Sequence, residues 1–175
     1  MQIKKIIIIW LILSISLALV GEVDLNRLKA AYIEKFTRFI EWPENDDNVF
    51  MVGYFYRDQF IEELQDYLKE TNIHNKHVEF LLIDRSDKIL DCNLIYIPSQ
   101  NDEELEQTLR LIENKPILSI SQSNRYAKKG VHINFYLRGD KLKFEINGDA
   151  AKQSDLKISH LLLQLAKVVH SGGQK

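Results

Sequence analysis

The feature that most constrains the fold is the alternation of short apolar runs with amphipathic segments between residues 49 and 121. Apolar runs typical of buried strands begin at Val49, His77, Asn93 and Pro116. Two segments with helical spacing, residues 58–70 and 101–114, lie between them. Strands that alternate with helices predict a largely parallel sheet covered by helices on both faces.

Amphipathic helices are also expected at both ends of this unit. DLNRLKAAYIEKFTRFIEW, residues 24–42, places apolar side chains at helical spacing after a possible N-cap, Asp24. SHLLLQLAKVVH, residues 159–170, predicts a closing helix capped by Ser159. A chain of 175 residues, 45% of them hydrophobic, can bury one sizeable core, so a single domain is expected.

INFYLRGDKLKFEIN, residues 133–147, predicts a C-terminal antiparallel hairpin, because apolar residues occupy every second position around Gly139 and Asp140. The resulting fold class is a single α/β domain with a mixed, mostly parallel sheet, helices on both faces and this hairpin. In the expected register the buried side pairs Ile133 with Ile146, Phe135 with Phe144 and Leu137 with Leu142. The polar side pairs Asn134 with Glu145, and it could be an active site, a docking surface or the solvated side of a sheet.

The N-terminus predicts export. The basic start MQIKK precedes an apolar run from Ile6 to Val20, which is typical of a secretory signal peptide. Cleavage after Ala18 would assign residues 1–18 to this peptide, with Gly21 as another possible end. A retained membrane anchor is the alternative, although the run is short for a bilayer core about 30 Å thick.

Charge and motifs narrow the classes of function. The formal charge is −2 and no Lys/Arg run exceeds two residues, so nucleic acid is not an expected partner. HExxH, GxSxG, P-loop and GxGxxG motifs do not occur in the sequence, and its five histidines lack metal-site spacing. No catalytic residue, metal or cofactor is therefore expected. The single cysteine, Cys92, is interpreted as a small buried hydrophobe.

Two stretches carry a resemblance to a known family. KAAYIEKFTRFIEWP, residues 29–43, and residues 115–169, which contain the hairpin, FEIN, paired alanines and the helix start KIS, resemble the YfiR family of exported proteins. With the strands between them in the right order, the resemblance predicts a YfiR-like domain over residues 24–170.

The resemblance implies a periplasmic regulator rather than an enzyme. YfiR holds an inner-membrane diguanylate cyclase, YfiN, in check through its periplasmic portion and so limits cyclic-di-GMP and biofilm growth. A homodimer is also implied, because such a cyclase works as a dimer. YfiR carries disulfides linked to redox sensing, whereas this chain has only Cys92, so disulfide control within one chain is not expected.

A partner-binding surface is predicted where the hairpin ends and the KIS segment begins. Its residues are Phe144, Glu145, Asn147, Lys157 and Ile158. Glu145 is expected to point to water in the unbound protein. Alternatively, Phe144 belongs to the core, Lys157 is merely solvated, and Asn147 ends the strand through a side-chain bond to the backbone.

Two other classes of function stay open beside the regulator. One is a periplasmic binding protein that senses a small molecule, which would show ligand-dependent melting. The other is an uncharacterised hydrolase, which would turn over generic ester or phosphate substrates. A regulator should instead co-purify with a membrane protein and change its output.

Overall fold

The computed structural model describes residues 24–172 of the chain. The predicted signal peptide and the alternative anchor lie outside these residues. The α-helices are α1 (Leu25–Arg38), α2 (Gln59–Leu68), α3 (Asp102–Ile112), α4 (Tyr126–Lys129), α5 (Gly148–Gln153) and α6 (His160–Leu165), and a 3-10 helix spans Ser86–Asp91. None of the helices within residues 24–172 is long and apolar enough to cross a membrane.

Ten strands form two sheets. They are β1 (Ile40–Glu41), β2 (Val49–Tyr54), β3 (Asn72–Ile73), β4 (Lys76–Leu82), β5 (Leu94–Ile97), β6 (Leu118–Ser121), β7 (Ile133–Arg138), β8 (Lys141–Asn147), β9 (Lys157–Ile158) and β10 (Lys167–Val169). Eight of them form one sheet in the order β10-β8-β7-β6-β5-β2-β4-β3, whereas β1 and β9 form a separate ribbon.

The main sheet is mixed and mostly parallel, which confirms the predicted fold class. Strands β4, β2, β5, β6 and β7 are parallel neighbours, and β10 is parallel to β8. Only the β7–β8 hairpin and the short β3–β4 pair are antiparallel. The strand and helix alternation therefore predicted the central architecture correctly.

The helices begin where short polar side chains can satisfy free backbone N–H groups. Asp24 accepts a hydrogen bond of 2.9 Å from the backbone N–H of Asn26 and so caps α1. Asp58 caps α2, and Asn101 caps α3 through the backbone N–H of Glu104. Such caps are typically worth about 1 kcal/mol each.

Two apolar clusters fill the space on opposite faces of the sheet. In β5, Leu94 and Tyr96 join the cluster under α1 and α2, while Ile95 and Ile97 join the cluster under α3 and the 3-10 helix. This alternation follows from the two-residue period of a strand. Both faces are thus covered, as the apolar strands predicted.

The hairpin has the predicted register from Ile133↔Ile146 to Arg138↔Lys141. Its tip departs from the prediction, because the Leu137 side chain is 56% exposed rather than buried. The reason lies in the neighbouring strand: β6 ends at Ser121, which pairs with Asn134. Beyond that point the hairpin extends past the rest of the sheet.

The predicted C-terminal helix is correct only in its first half. Ser159 caps α6, but α6 ends at Leu165, and Lys167–Val169 form strand β10 parallel to β8. The β-branched residues Val168 and Val169 favour extended backbone, and the outer edge of β8 offers them main-chain partners. A tertiary contact therefore overrides the helical periodicity.

Candidate functional site

The structure divides the five predicted surface residues into a buried and an accessible group. Phe144, Glu145 and Asn147 lie on β8 and are buried, with exposed fractions of 7%, 8% and 0%. Lys157 is exposed and Ile158 is half-buried, and both belong to β9 in the separate ribbon. Only the second pair can meet a partner directly.

Phe144 is a core residue, as the alternative interpretation held. Its ring centroid lies 4.7 Å from that of Phe36 and 5.9 Å from that of Tyr32 on α1. Phe135, directly opposite Phe144 in the hairpin, stacks on Phe36 at 5.7 Å. This aromatic cluster fixes the hairpin against α1.

The expectation that Glu145 points to water is wrong. Strand β10 places Lys167 beside Glu145, and the Lys167 Nζ lies 3.2 Å from the Glu145 Oε2. The same ammonium lies 5.6 Å from the centroid of the Tyr136 ring. Glu145 was expected at the surface because β10 was interpreted as part of a helix.

Asn147 ends β8 through its side chain, as the alternative interpretation proposed. Its Oδ1 accepts hydrogen bonds from the backbone N–H groups of Asp149 and Ala150, each 2.9 Å long. Its Nδ2 donates to the backbone carbonyl of Ala127 at 2.6 Å and to Ser171. Asn147 therefore joins β8, α4 and the start of α5.

The inner part of the hairpin's polar side is buried rather than solvated. His132 precedes β7 and is 4% exposed, and its Nδ1 lies 2.7 Å from the Oγ of Ser119 on β6. Nδ1 also accepts from the Ser119 backbone N–H at 3.3 Å. Burial lowers the pKa of His132 to about 4. The Ser119 hydroxyl is 0% exposed, so this pair joins two strands and cannot reach a substrate.

The accessible surface lies on β9 and α6. Ile158 pairs with Ile40 of β1, and the Ser159 backbone N–H donates to the Phe39 carbonyl at 2.8 Å. Ser159 Oγ accepts from the Leu162 backbone N–H and so starts α6 directly after β9. We refer to the accessible residues of this region as the α6 surface, which consists of Lys157, Ile158, Leu161 and Leu165.

Leu161 and Leu165 are 61% and 73% exposed, the largest exposed fractions among the large hydrophobic side chains of residues 24–172. They are four residues apart in α6 and so share one helix face. The predicted surface did not include them, because a closing helix was predicted over SHLLLQLAKVVH without assignment of its exposed face. The three consecutive leucines, Leu161 to Leu163, were the available signal, since one amphipathic face cannot bury all of them.

Cys92 is structural, as predicted. It is 4% exposed, and its Sγ lies 3.4 Å from the Lys88 carbonyl oxygen, to which it donates. Burial raises the pKa of the thiol to about 12, so the reactive thiolate is not formed at neutral pH. Within the part of the chain that the structure describes, no group of three or more metal-binding side chains is found.

The family of this chain follows from a comparison with known families. The YfiR/HmsC-like family model matches residues 26–167, from α1 to the start of β10. The chain belongs to the YfiR/HmsC-like family. At the level of the family, this links the chain to periplasmic regulation of cyclic-di-GMP signalling. The predicted resemblance is thereby confirmed.

Two solved structures share the α/β fold at low sequence identity. One is a conserved domain protein from Vibrio cholerae O1 biovar El Tor str. N16961, with 11% identity, a TM-score of 0.56, and coverage of 85% of this chain and 61% of that chain. The other is the ABC domain in complex with L-Trp from Streptococcus pneumoniae, with 13% identity, a TM-score of 0.54, and coverage of 82% and 61%. This chain thus spans about three-fifths of each structure.

Proposed function

We propose that this protein binds the periplasmic part of an inner-membrane diguanylate cyclase similar to YfiN and represses it, which lowers cyclic-di-GMP. Membership of the YfiR/HmsC-like family supports the regulatory role. The basic and apolar N-terminus supports export by a signal peptide of residues 1–18. In this proposal the protein acts by binding rather than by catalysis.

The α6 surface is the observation that carries the proposal. Leu161 and Leu165, both more than half exposed, share one face of α6, and the exposed cation of Lys157 precedes this helix by three residues. Exposed apolar patches with a polar rim are typical of protein–protein contacts. The ion pair of Lys157 with Glu41 spans 3.9 Å, and both side chains are more than 70% exposed, so Lys157 can exchange this partner at little cost.

The buried residues of the predicted site support this surface from within. Phe144 packs β8 against α1, Glu145 pairs with β10, and Asn147 starts α5. These contacts set the position of the chain on both sides of β9 and α6. We therefore assign Lys157 and Ile158 to direct contact with the partner and Phe144, Glu145 and Asn147 to positioning.

The test compares two exposed leucine sites. The double variant Leu161→Ser/Leu165→Ser should fold like wild type but bind the periplasmic part of the cyclase at least about tenfold more weakly, since central apolar contacts are typically worth more than 1 kcal/mol. Leu90→Ser is the matched control, because Leu90 is 51% exposed on the 3-10 helix. Calorimetry would measure binding, and cellular cyclic-di-GMP should rise only in the double variant.

Two results would contradict the assignment. If the double variant binds and represses like wild type, the α6 surface is not the docking site. If no cyclase binds and cyclic-di-GMP is unchanged when the protein is deleted, the proposed partner itself is wrong.

We also propose a homodimer that matches the two-fold symmetry of the cyclase. The outer edge of β4 is the candidate interface. Among residues 24–172, β3 pairs with β4 only at Lys76 and His77, which leaves the edge from Val78 to Leu82 open. Such edges pair readily with a second copy of the same strand.

A further inference from the structure

A cavity beside the hairpin has features that the proposed regulatory contact does not use. It has a volume of about 540 Å³ and lies between the start of α1, the segment that follows β6, and strands β7 and β8. Its position at the carboxyl end of the parallel strand β6 is one where α/β proteins commonly bind ligands. Lys29, Gln122 and Asn134 line it together with the apolar side chains of Leu25 and Leu142.

Lys29 brings a nearly buried positive charge to the cavity wall. Its side chain is 4% exposed, and its Nζ donates to the Gln122 Oε1 at 2.9 Å. The ammonium also lies 4.3 Å from the centroid of the Phe60 ring. Burial lowers the pKa of Lys29, while Asp58 and Asp24 oppose this shift from a distance. An amide and an aromatic ring replace hydration only in part, so an anion in the cavity would stabilise this charge.

Asn134 brings a buried acceptor that lacks a donor. The residue is 2% exposed, and its Oδ1 has no hydrogen-bond partner within the described residues. Its Nδ2 donates to the Phe135 carbonyl at 3.3 Å. Glu145, opposite Asn134 in the hairpin, also lines the cavity but pairs with Lys167. Leaving a buried acceptor unpaired is costly, so a donor in the cavity would remove this cost.

The remaining charges of the cavity favour an anion. Arg125, Lys128 and Lys167 line it in addition to Lys29, whereas Glu145 is its one acidic side chain. The 175-residue chain carries a formal charge of −2, so the excess of positive charge is local to this cavity. A concave site with one sign of charge concentrates ligands of the opposite sign.

We propose that this cavity binds a small organic anion that carries a hydroxyl group, with the oxyanion on Lys29 and the hydroxyl donating to the Oδ1 of Asn134. A phosphate ester and a hydroxycarboxylate share this chemistry. The proposal concerns a second site and does not depend on the identity of the protein partner.

The experiment is calorimetric titration of the exported protein with glycerol 3-phosphate and, separately, with citrate. Wild type should bind at least one of them, and the ligand that binds identifies the oxyanion as phosphate or carboxylate. Glycerol and sodium chloride at equal ionic strength control for the hydroxyls and for salt. Lys29→Met should weaken binding about tenfold or more, because a charge-assisted hydrogen bond is lost.

A second variant separates the two contacts. Asn134→Leu should weaken binding of the hydroxylated anion but leave any binding of inorganic sulfate, which has no donor at neutral pH, unchanged. Lys35→Met is the matched control, because Lys35 is exposed on the same helix as Lys29 and does not line the cavity. Each variant's thermal melting without ligand confirms that it is folded.

Two outcomes would overturn the proposal. One is that neither glycerol 3-phosphate nor citrate gives more heat than the salt control. The other is that Lys29→Met or Asn134→Leu binds the active anion as wild type does. Loss of cyclase binding by the Leu161→Ser/Leu165→Ser variant would affect neither result, so this proposal and the proposed function fail separately.

Discussion

The Glu145 carboxylate lies 3.2 Å from the Lys167 ammonium and joins the hairpin to strand β10. The Glu145 side chain is 10% exposed and the Lys167 side chain is 58% exposed, so the burial of this ion pair is intermediate between that of a buried pair and that of a surface pair. A carboxylate this far from water depends on its cation more than a surface carboxylate does.

Glu145→Gln should lower the free energy of unfolding by about 1–2 kcal/mol, between the values typical of exposed and of fully buried pairs. Urea unfolding of Glu145→Gln, Lys167→Met and the double variant would give the coupling energy. The exposed helical pair Arg110 and Glu106 is the control, with an expected coupling of at most about 0.5 kcal/mol. Equal coupling in both pairs would contradict the importance of Glu145 burial.

His132 should make the protein less stable in mild acid. Its pKa is about 4 in the folded protein, compared with 6.5 ordinarily, because burial disfavours the charged ring. The unfolded chain therefore binds the proton more tightly. The stability that the protein gains from keeping His132 neutral is fully present above pH 6.5. It is lost as the pH falls towards 4, and the loss amounts to about 3 kcal/mol.

The matched variant for this pH dependence is His132→Asn, whose side-chain oxygen can still accept from Ser119 but does not titrate. Urea unfolding at several pH values would measure both proteins. Wild type should lose more stability than the variant between pH 6.5 and 4. Parallel pH profiles would show that His132 contributes nothing to acid sensitivity.

The sequence predicted those features that depend on local pattern. The helix caps Asp24 and Ser159, the parallel strands and the register of Phe135 with Phe144 all follow from spacing and residue type. The chain's end was mispredicted, because Lys167–Val169 became a strand through contact with β8. That contact joins residues about 22 positions apart, which periodicity cannot detect.

Contacts between distant segments also explain why the burial of Glu145 and of Lys29 was not predicted from the sequence. Glu145 alternates with the apolar residues of β8 and therefore appeared solvent-exposed until β10 was in place. Lys29 was not singled out from the sequence, and its ammonium contacts Gln122 and the Phe60 ring in the folded chain. Burial of a polar residue by distant segments leaves no local signal.

Gly53→Ala should destabilise the fold by about 1–3 kcal/mol through overpacking. A Cβ atom at Gly53 would lie 2.6 Å from the Cys92 Sγ and 2.8 Å from the Ile83 Cδ1, well inside contact distance. Cys92→Ala removes the sulfur, so the double variant should be less destabilised than the sum of the single variants. Thermal melting of the three variants would measure this, and strict additivity would show that the sulfur does not oppose the new methyl group.

Leu82→Pro should convert the proposed homodimer to a monomer without unfolding it. The backbone N–H groups of His77 and Ile83 donate to the β2 side, so by the two-residue period of the strand the N–H of Leu82 faces the open edge. Proline removes this donor and is tolerated at sheet edges. Light scattering should give a dimer mass for wild type and for the control Leu82→Thr, which keeps the N–H, and a monomer mass for Leu82→Pro. A monomeric wild type at every attainable concentration would refute the homodimer, and a dimeric Leu82→Pro would refute the β4 interface.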